Sequence, residues 1–174
     1  MIEQFALWLS ETSLSVWLNV HNSWVIPSIQ SIHIAAIGIV LISVLMINLR
    51  ILGLSGHDQT LREITNRFGP WMTWSMVVLI ITGALMVVAE PARELLTFSF
   101  WAKMFLVAVG TLIAAIFQIT LRRNERHWEK TLVNDIKVRS LAILTLLIWV
   151  CIIILGRLIA YDYLWGSWSL SPTA

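Results

Sequence analysis

The chain has 174 residues, of which 58% are hydrophobic and 13% charged, and its mean hydropathy is +0.81. A soluble domain carries about a quarter charged residues, so this composition excludes an ordinary soluble enzyme and points to a single domain solvated by lipid. The net charge is only +2, and the basic residues flank apolar runs instead of forming a basic-aromatic patch, which argues against a nucleic-acid partner.

The N-terminus, "MIEQFALWLS", has no basic leader and carries Glu3, so it does not read as a cleaved signal peptide. Scattered apolar residues at Phe5, Leu9, Val16 and Leu18 predict a short interfacial helix starting near Ser13. Four apolar runs follow, each long enough to cross a bilayer as a helix: about 24–48, 71–89, 100–121 and 140–163. Pro27 falls in the first turn of the first run, where a missing N–H costs little. Gly69-Pro70 reads as a break before the second run, and Glu90-Pro91 as its end. Between the first two runs, Leu61, Ile64, Thr65 and Phe68 recur at helical spacing, which predicts a separate amphipathic helix lying on the membrane. Cys151 lies inside the fourth run and reads as a small buried hydrophobe.

The fold expected is an all-α membrane protein, a four-helix antiparallel bundle with a short N-terminal interfacial helix. Small residues at Ala35, Gly38, Gly83, Ala84, Gly110, Ala114, Gly156 and Ala160 suit close helix contacts. Nine basic residues belong to the two long connections: Arg50, Arg62, Arg67, Arg122, Arg123, Arg126, Lys130, Lys137 and Arg139. Three lie toward the other side: Arg93, Lys103 and Arg157. That asymmetry places the two connections in the cytoplasm and both termini outside, the periplasm if the membrane is a bacterial inner membrane. Ten tryptophans, several near span ends, fit interfacial belts.

Polar residues inside the runs gather in the outer half. At about 1.5 Å per residue, His33 lies roughly 13 Å in from the outer end of the first span. Gln30 is one turn before it, Lys103 opens the third span, and Arg157 and Tyr161 share a face of the fourth. An imidazole in lipid needs a hydrogen-bond partner, a metal or a cofactor. Haem b would use His33 as a ligand, with Arg157 and Lys103 at the propionates. No second histidine lies within a run; His57 and His127 sit in the inner connections and read as surface residues. His21 reaches the same iron only if the chain turns back before Trp24. A quinone asks for less: donors from His33, Tyr161, Arg157 or Gln30 and an apolar slot for its tail. Copper would draw on His33, Met86 and Met104, with His21 as an outer candidate. Against these stands the simpler role, in which His33 bonds a facing helix and Arg157 pairs with Glu90 or Asp162 or reaches outward.

Three segments, "SIHIAAIGIVLISVLMINLRILGL", "LIITGALMVVAEP" and "LGRLIAY", resemble an uncharacterised bacterial family of four-helix membrane proteins classed as a domain of unknown function. The resemblance covers about residues 20–163 and is carried by His33, Arg50-Ile51-Leu52-Gly53 and Gly156-Arg157. It implies a histidine near the inner end of the third span, where this sequence has Gln118-Ile119-Thr120. The architecture is also similar to copper-resistance-D-like and cytochrome b-like membrane bundles, which implies redox or metal roles by analogy of fold alone.

The function expected is that of a membrane subunit of a redox or respiratory complex, holding haem b or quinone in the outer half and exchanging electrons with a periplasmic partner. The alternative is a cofactor-free anchor or stabilising subunit; a weaker one is copper or small-solute transport. Lipid, and other subunits or a second copy, are the partners expected. No nucleophile-base-orienter set, phosphate loop or HExxH occurs, which argues against catalysis by this chain alone.

Overall fold

The computed structural model describes residues 1–56, 58–123 and 136–159. Two short helices, α1 (Ile2–Ser10) and α2 (Ser13–Val20), precede the first long helix, α3 (Val25–Ile51). Then come α4 (Leu61–Ala89), the short α5 (Pro91–Leu95), α6 (Phe98–Arg123) and α7 (Ile136–Ile159). Four of these, α3, α4, α6 and α7, are long and apolar enough to cross a membrane. Pro27 sits in the first turn of α3, as its chemistry requires.

The chain reverses by local signals. At the end of α3, Gly53 takes φ +68°, and the Leu54 and Gly53 amides close on the Leu49 and Arg50 carbonyls at 2.9 and 3.1 Å. This is a Schellman stop, which a residue with a Cβ resists. Thr60 and Glu63 then start α4 with a reciprocal capping box: Glu63 N–H donates to Thr60 Oγ1 and Thr60 N–H to the Glu63 carboxylate.

From that cap α4 runs without interruption through Gly69 and Pro70. The amphipathic segment expected as a separate helix is therefore the first two turns of the second span. The reason is burial: Leu61 and Ile64 pack with Ile47, Ile51 and Ala142, and Phe68 lies against them. That apolar contact outweighs the hydrogen bond that Pro70 cannot make to the turn before it. A short helix starts at Ser13, as expected, and is α2; α1, with no side-chain cap, is additional to the elements expected.

Neighbouring long helices are antiparallel. Ile51 and Leu61 meet at one end of α3 and α4, and His33 and Thr82 meet toward the other. Lys103 and Gly110 of α6 face Gly156 and Trp149 of α7 in the reversed order. Within the bundle, α3 pairs with α4 and α6 with α7; α3 meets α7, and α4 meets α6, over shorter stretches. A central cluster of Val40, Val44, Met72, Ile148, Trp149 and Ile152 joins the two hairpins. Helices α1, α2 and α5 cap one end, through Ala6, Leu95, Phe100 and Ile159 and through Leu18, Val25 and Ala89. Asn19 Nδ2 donates to both Ser15 O and Ala89 O at 2.9 Å, tying α2 to the end of α4.

The outward faces are hydrocarbon. Ile80, Ile81, Phe105, Leu112, Ile116 and Leu147 are each more than half exposed, the pattern of a bundle in contact with membrane lipid. Cys151, expected inside, lies on this exposed face; a thiol is apolar enough for lipid, and Trp149 and Ile152 take the inward positions. Of the glycines in the spans, Gly110 makes the closest helix contact: a Cβ there would sit 3.4 Å from Ile148 and 3.7 Å from Trp149. Ala35 and Ala84 are exposed, and no atom lies within 4 Å of the Cβ position at Gly38, so these do not mediate packing. Trp8, Trp17, Trp24 and Trp101 are exposed near the capped end, Trp71 and Trp74 nearer the other, while Trp149 is core.

Candidate functional site

His33 lies eight residues into α3 and Thr82 seven before the end of α4, so the antiparallel hairpin brings them to one level. His33 Nδ1 is 2.7 Å from Thr82 Oγ1. The threonine hydroxyl lies 2.7 Å from Val78 O, one turn back. A hydroxyl has one proton, and Val78 O takes it; Thr82 Oγ1 then accepts from His33 Nδ1–H. The imidazole is thereby held as the Nδ1–H tautomer, with the Nε2 lone pair turned to other use. Gly83 gives the ring its seat: a Cβ there would be 3.6 Å from His33 Cε1.

Lys103 enters the same layer from α6. Its stem packs on Gly156 of α7, and its charge acts on both His33 and Glu94. Glu94 is buried in α5, the cap over this end of the bundle. Burial pushes its carboxyl above the usual range and nearby Glu90 adds to this, while Lys103 and Arg93 act in the opposite sense. The layer therefore combines an oriented imidazole, a hydroxyl, a half-buried lysine amine and a buried carboxyl, contributed by α3, α4, α6 and α5.

The other expected residues divide. Met86 is half-buried one turn beyond Thr82 on α4, whereas Met104 is exposed on the outer face of α6, beside the inward Lys103. Gln30 is exposed, as is Arg157. Glu90, expected as a partner of Arg157, pairs with Arg93 of the next turn. His21 closes α2: its Nδ1 is 2.9 Å from Trp17 O, and its ring packs between Trp17 and Trp24. Tyr161, Asp162, His57 and His127 lie outside the described residues. Among the described residues no three His, Cys, Asp or Glu side chains converge as a metal set.

Thr82 and Glu94 were not among the residues predicted from sequence. Thr82 was accessible by counting depth from both ends of an antiparallel hairpin. Glu94 was masked by Glu90 and by treating 91–99 as a bare connection. A second feature emerges only from the packing of the helices. A narrow cleft of about 50 Å³ lies at the opposite, basic end, lined by Asn48, Gln118 and Thr145 among apolar residues of all four long helices.

The model of a family of unknown function, DUF6644, matches residues 6–162. The chain belongs to that family. The match runs from within α1 to beyond the described end of α7, and so covers every residue of the polar layer. No curated protein and no solved structure matches this DUF6644 chain.

Proposed function

We propose that this DUF6644 protein is a membrane subunit of a redox complex, in a bacterial inner membrane, that binds a quinone in the half of the bundle capped by α1, α2 and α5. The observation that carries this reading is the His33–Thr82 bond. It fixes one imidazole nitrogen as a donor and leaves Nε2 to accept from a quinol hydroxyl at a membrane depth a quinone ring reaches. Lys103 supplies a donor for a quinone carbonyl. A quinol held there would supply two electrons and two protons to a redox-active partner subunit on the periplasmic side, and Glu94, in the α5 cap beside Lys103, would be placed to take up a proton. The basic asymmetry of the long connections supports a periplasmic capped end.

Haem b fits less well. The described spans offer one imidazole, and Met104 faces away from it. A cofactor-free anchor is favoured by the same bond read differently, since His33–Thr82 joins α3 to α4 by itself. Purification in mild detergent, followed by quinone extraction and pyridine haemochrome spectra, separates the three. Stoichiometric quinone lost in His33→Ala supports the proposal; stoichiometric haem lost in the same variant replaces it with the haem reading. Neither cofactor at stoichiometric yield leaves the anchor. For orientation, a single cysteine at Ser10, in a Cys151→Ser background, should react with an impermeant maleimide added from the periplasmic side. Labelling only after membrane disruption would reverse the topology.

A further inference from the structure

The cleft at the basic end has its own chemistry. Most of its wall is hydrocarbon from Val44, Met72, Phe117 and their neighbours. The polar groups in it are largely committed: Asn48 Nδ2 donates to Val44 O at 2.8 Å, and the Thr145 hydroxyl to Leu141 O at 2.8 Å. Gln118 lies beside Gly69, 3.7 Å from where a Cβ would stand. Such a slot selects an alkyl chain over water or a polar solute.

The rim is cationic. Val138 and Ile51 line the cleft, and Arg139, next to Val138, donates to Leu52 O at 3.3 Å. Its guanidinium therefore spans the gap between the start of α7 and the end of α3. Arg50 stands one residue before Ile51 and donates through Nε to Gln59 O at 2.8 Å. A guanidinium carries five N–H donors, and each of these bonds uses one. Apolar slots between membrane helices with basic groups at the mouth hold anionic lipid headgroups.

We propose that this cleft binds an anionic phospholipid, one acyl chain lying between the α3–α4 and α6–α7 hairpins and the phosphate held by Arg139 and Arg50. A neutral quinone takes a hydrogen bond from the rim but no charge pairing, and the ammonium of a zwitterionic lipid is repelled by it. The lipid fills a seam between the two hairpins, which touch each other less than the helices within each hairpin do, so it acts as a cross-brace between them. The site is at the opposite end of the bundle from His33 and does not depend on the quinone reading.

The test uses the full chain, delipidated in detergent and titrated with dioleoylphosphatidylglycerol or dioleoylphosphatidylcholine. Native mass spectrometry counts bound lipid, and thermal denaturation reads the stabilisation. The anionic lipid should bind with a stoichiometry near one, roughly tenfold or more tighter than the zwitterionic one. Arg139→Gln should remove that preference, while Arg67→Gln, a basic residue of the same end that adjoins no residue of the cleft wall, should keep it. Ala114→Leu, which fills the slot without changing charge, should weaken both lipids. Equal binding of the two lipids, or an unchanged preference in a folded Arg139→Gln protein, would overturn the proposal. So would displacement of the lipid by decylubiquinone at equal concentration, which would make the cleft a quinone site.

Discussion

Replacing Thr82 by valine keeps the shape of the side chain and removes the acceptor of His33 Nδ1–H. The bond is 2.7 Å long, within the short range for this class, and the imidazole is half-buried between α3 and α4. An orphaned buried donor costs about 1–3 kcal/mol, and partial exposure puts His33 at the lower end, near 1 kcal/mol. Replacing His33 by leucine as well removes both polar partners, so the double variant should recover part of the loss. The coupling energy from the four-member cycle should be about 0.6 kcal/mol and at most about 1.7 kcal/mol, the average and the maximum for hydrogen bonds between membrane helices. Reversible unfolding in mixed micelles, scored by the loss of helical circular dichroism, gives the four free energies. Strict additivity would refute the bond as a join between α3 and α4. It would also remove the argument that Thr82 sets the tautomer of His33.

Other parts of the fold give sharper or cheaper tests. Glu94 in α5 holds its proton more tightly when folded than when unfolded, because burial raises its pKa. Stability should therefore fall as pH rises past the unfolded value near 4.5, then level once the native carboxyl ionises. Glu94→Gln should flatten that fall, seen as a denaturation midpoint that no longer declines between about pH 4 and pH 8; an unchanged profile would mean the carboxyl is not the group responsible. Pro70→Ala should raise the midpoint, since it restores an amide in the middle of α4; a proline in a helix interior costs up to about 3 kcal/mol relative to alanine. A lower midpoint would show that Pro70 supports a bend the bundle needs. Gly110→Val should destabilise by about 1–3 kcal/mol, because a Cβ already stands 3.4 Å from Ile148 and its added methyls meet Trp149; full stability would mean that α6 and α7 separate at no cost.

What sequence alone makes legible here follows the range of the force involved. The four spans are read from run length because, in lipid, a segment of that hydrophobicity has no alternative to a helix. The extension of α4 back to Leu61 is not, since Gly69-Pro70 is a strong local stop and only Ile47, Ile51 and Ala142, distant in sequence, reward carrying the helix through it. The site divides in the same way. His33 stands out because a polar group in lipid is costly wherever it lies. Its partner is a threonine, which lipid tolerates by bonding it to its own helix, so Thr82 becomes visible only when depths are matched across the hairpin. Glu94 needs more still: it is buried only because residues 91–95 turn as a helix beneath α1. The cleft is furthest from the sequence. It comes from how two hairpins of unequal contact fit together, and the amides Asn48 and Gln118 in its wall are brought to one place only by that fit. That is also why the cleft is the feature most open to change. A single methyl-to-isobutyl replacement at Ala114 would fill it while leaving hydropathy, span lengths and charge as they are.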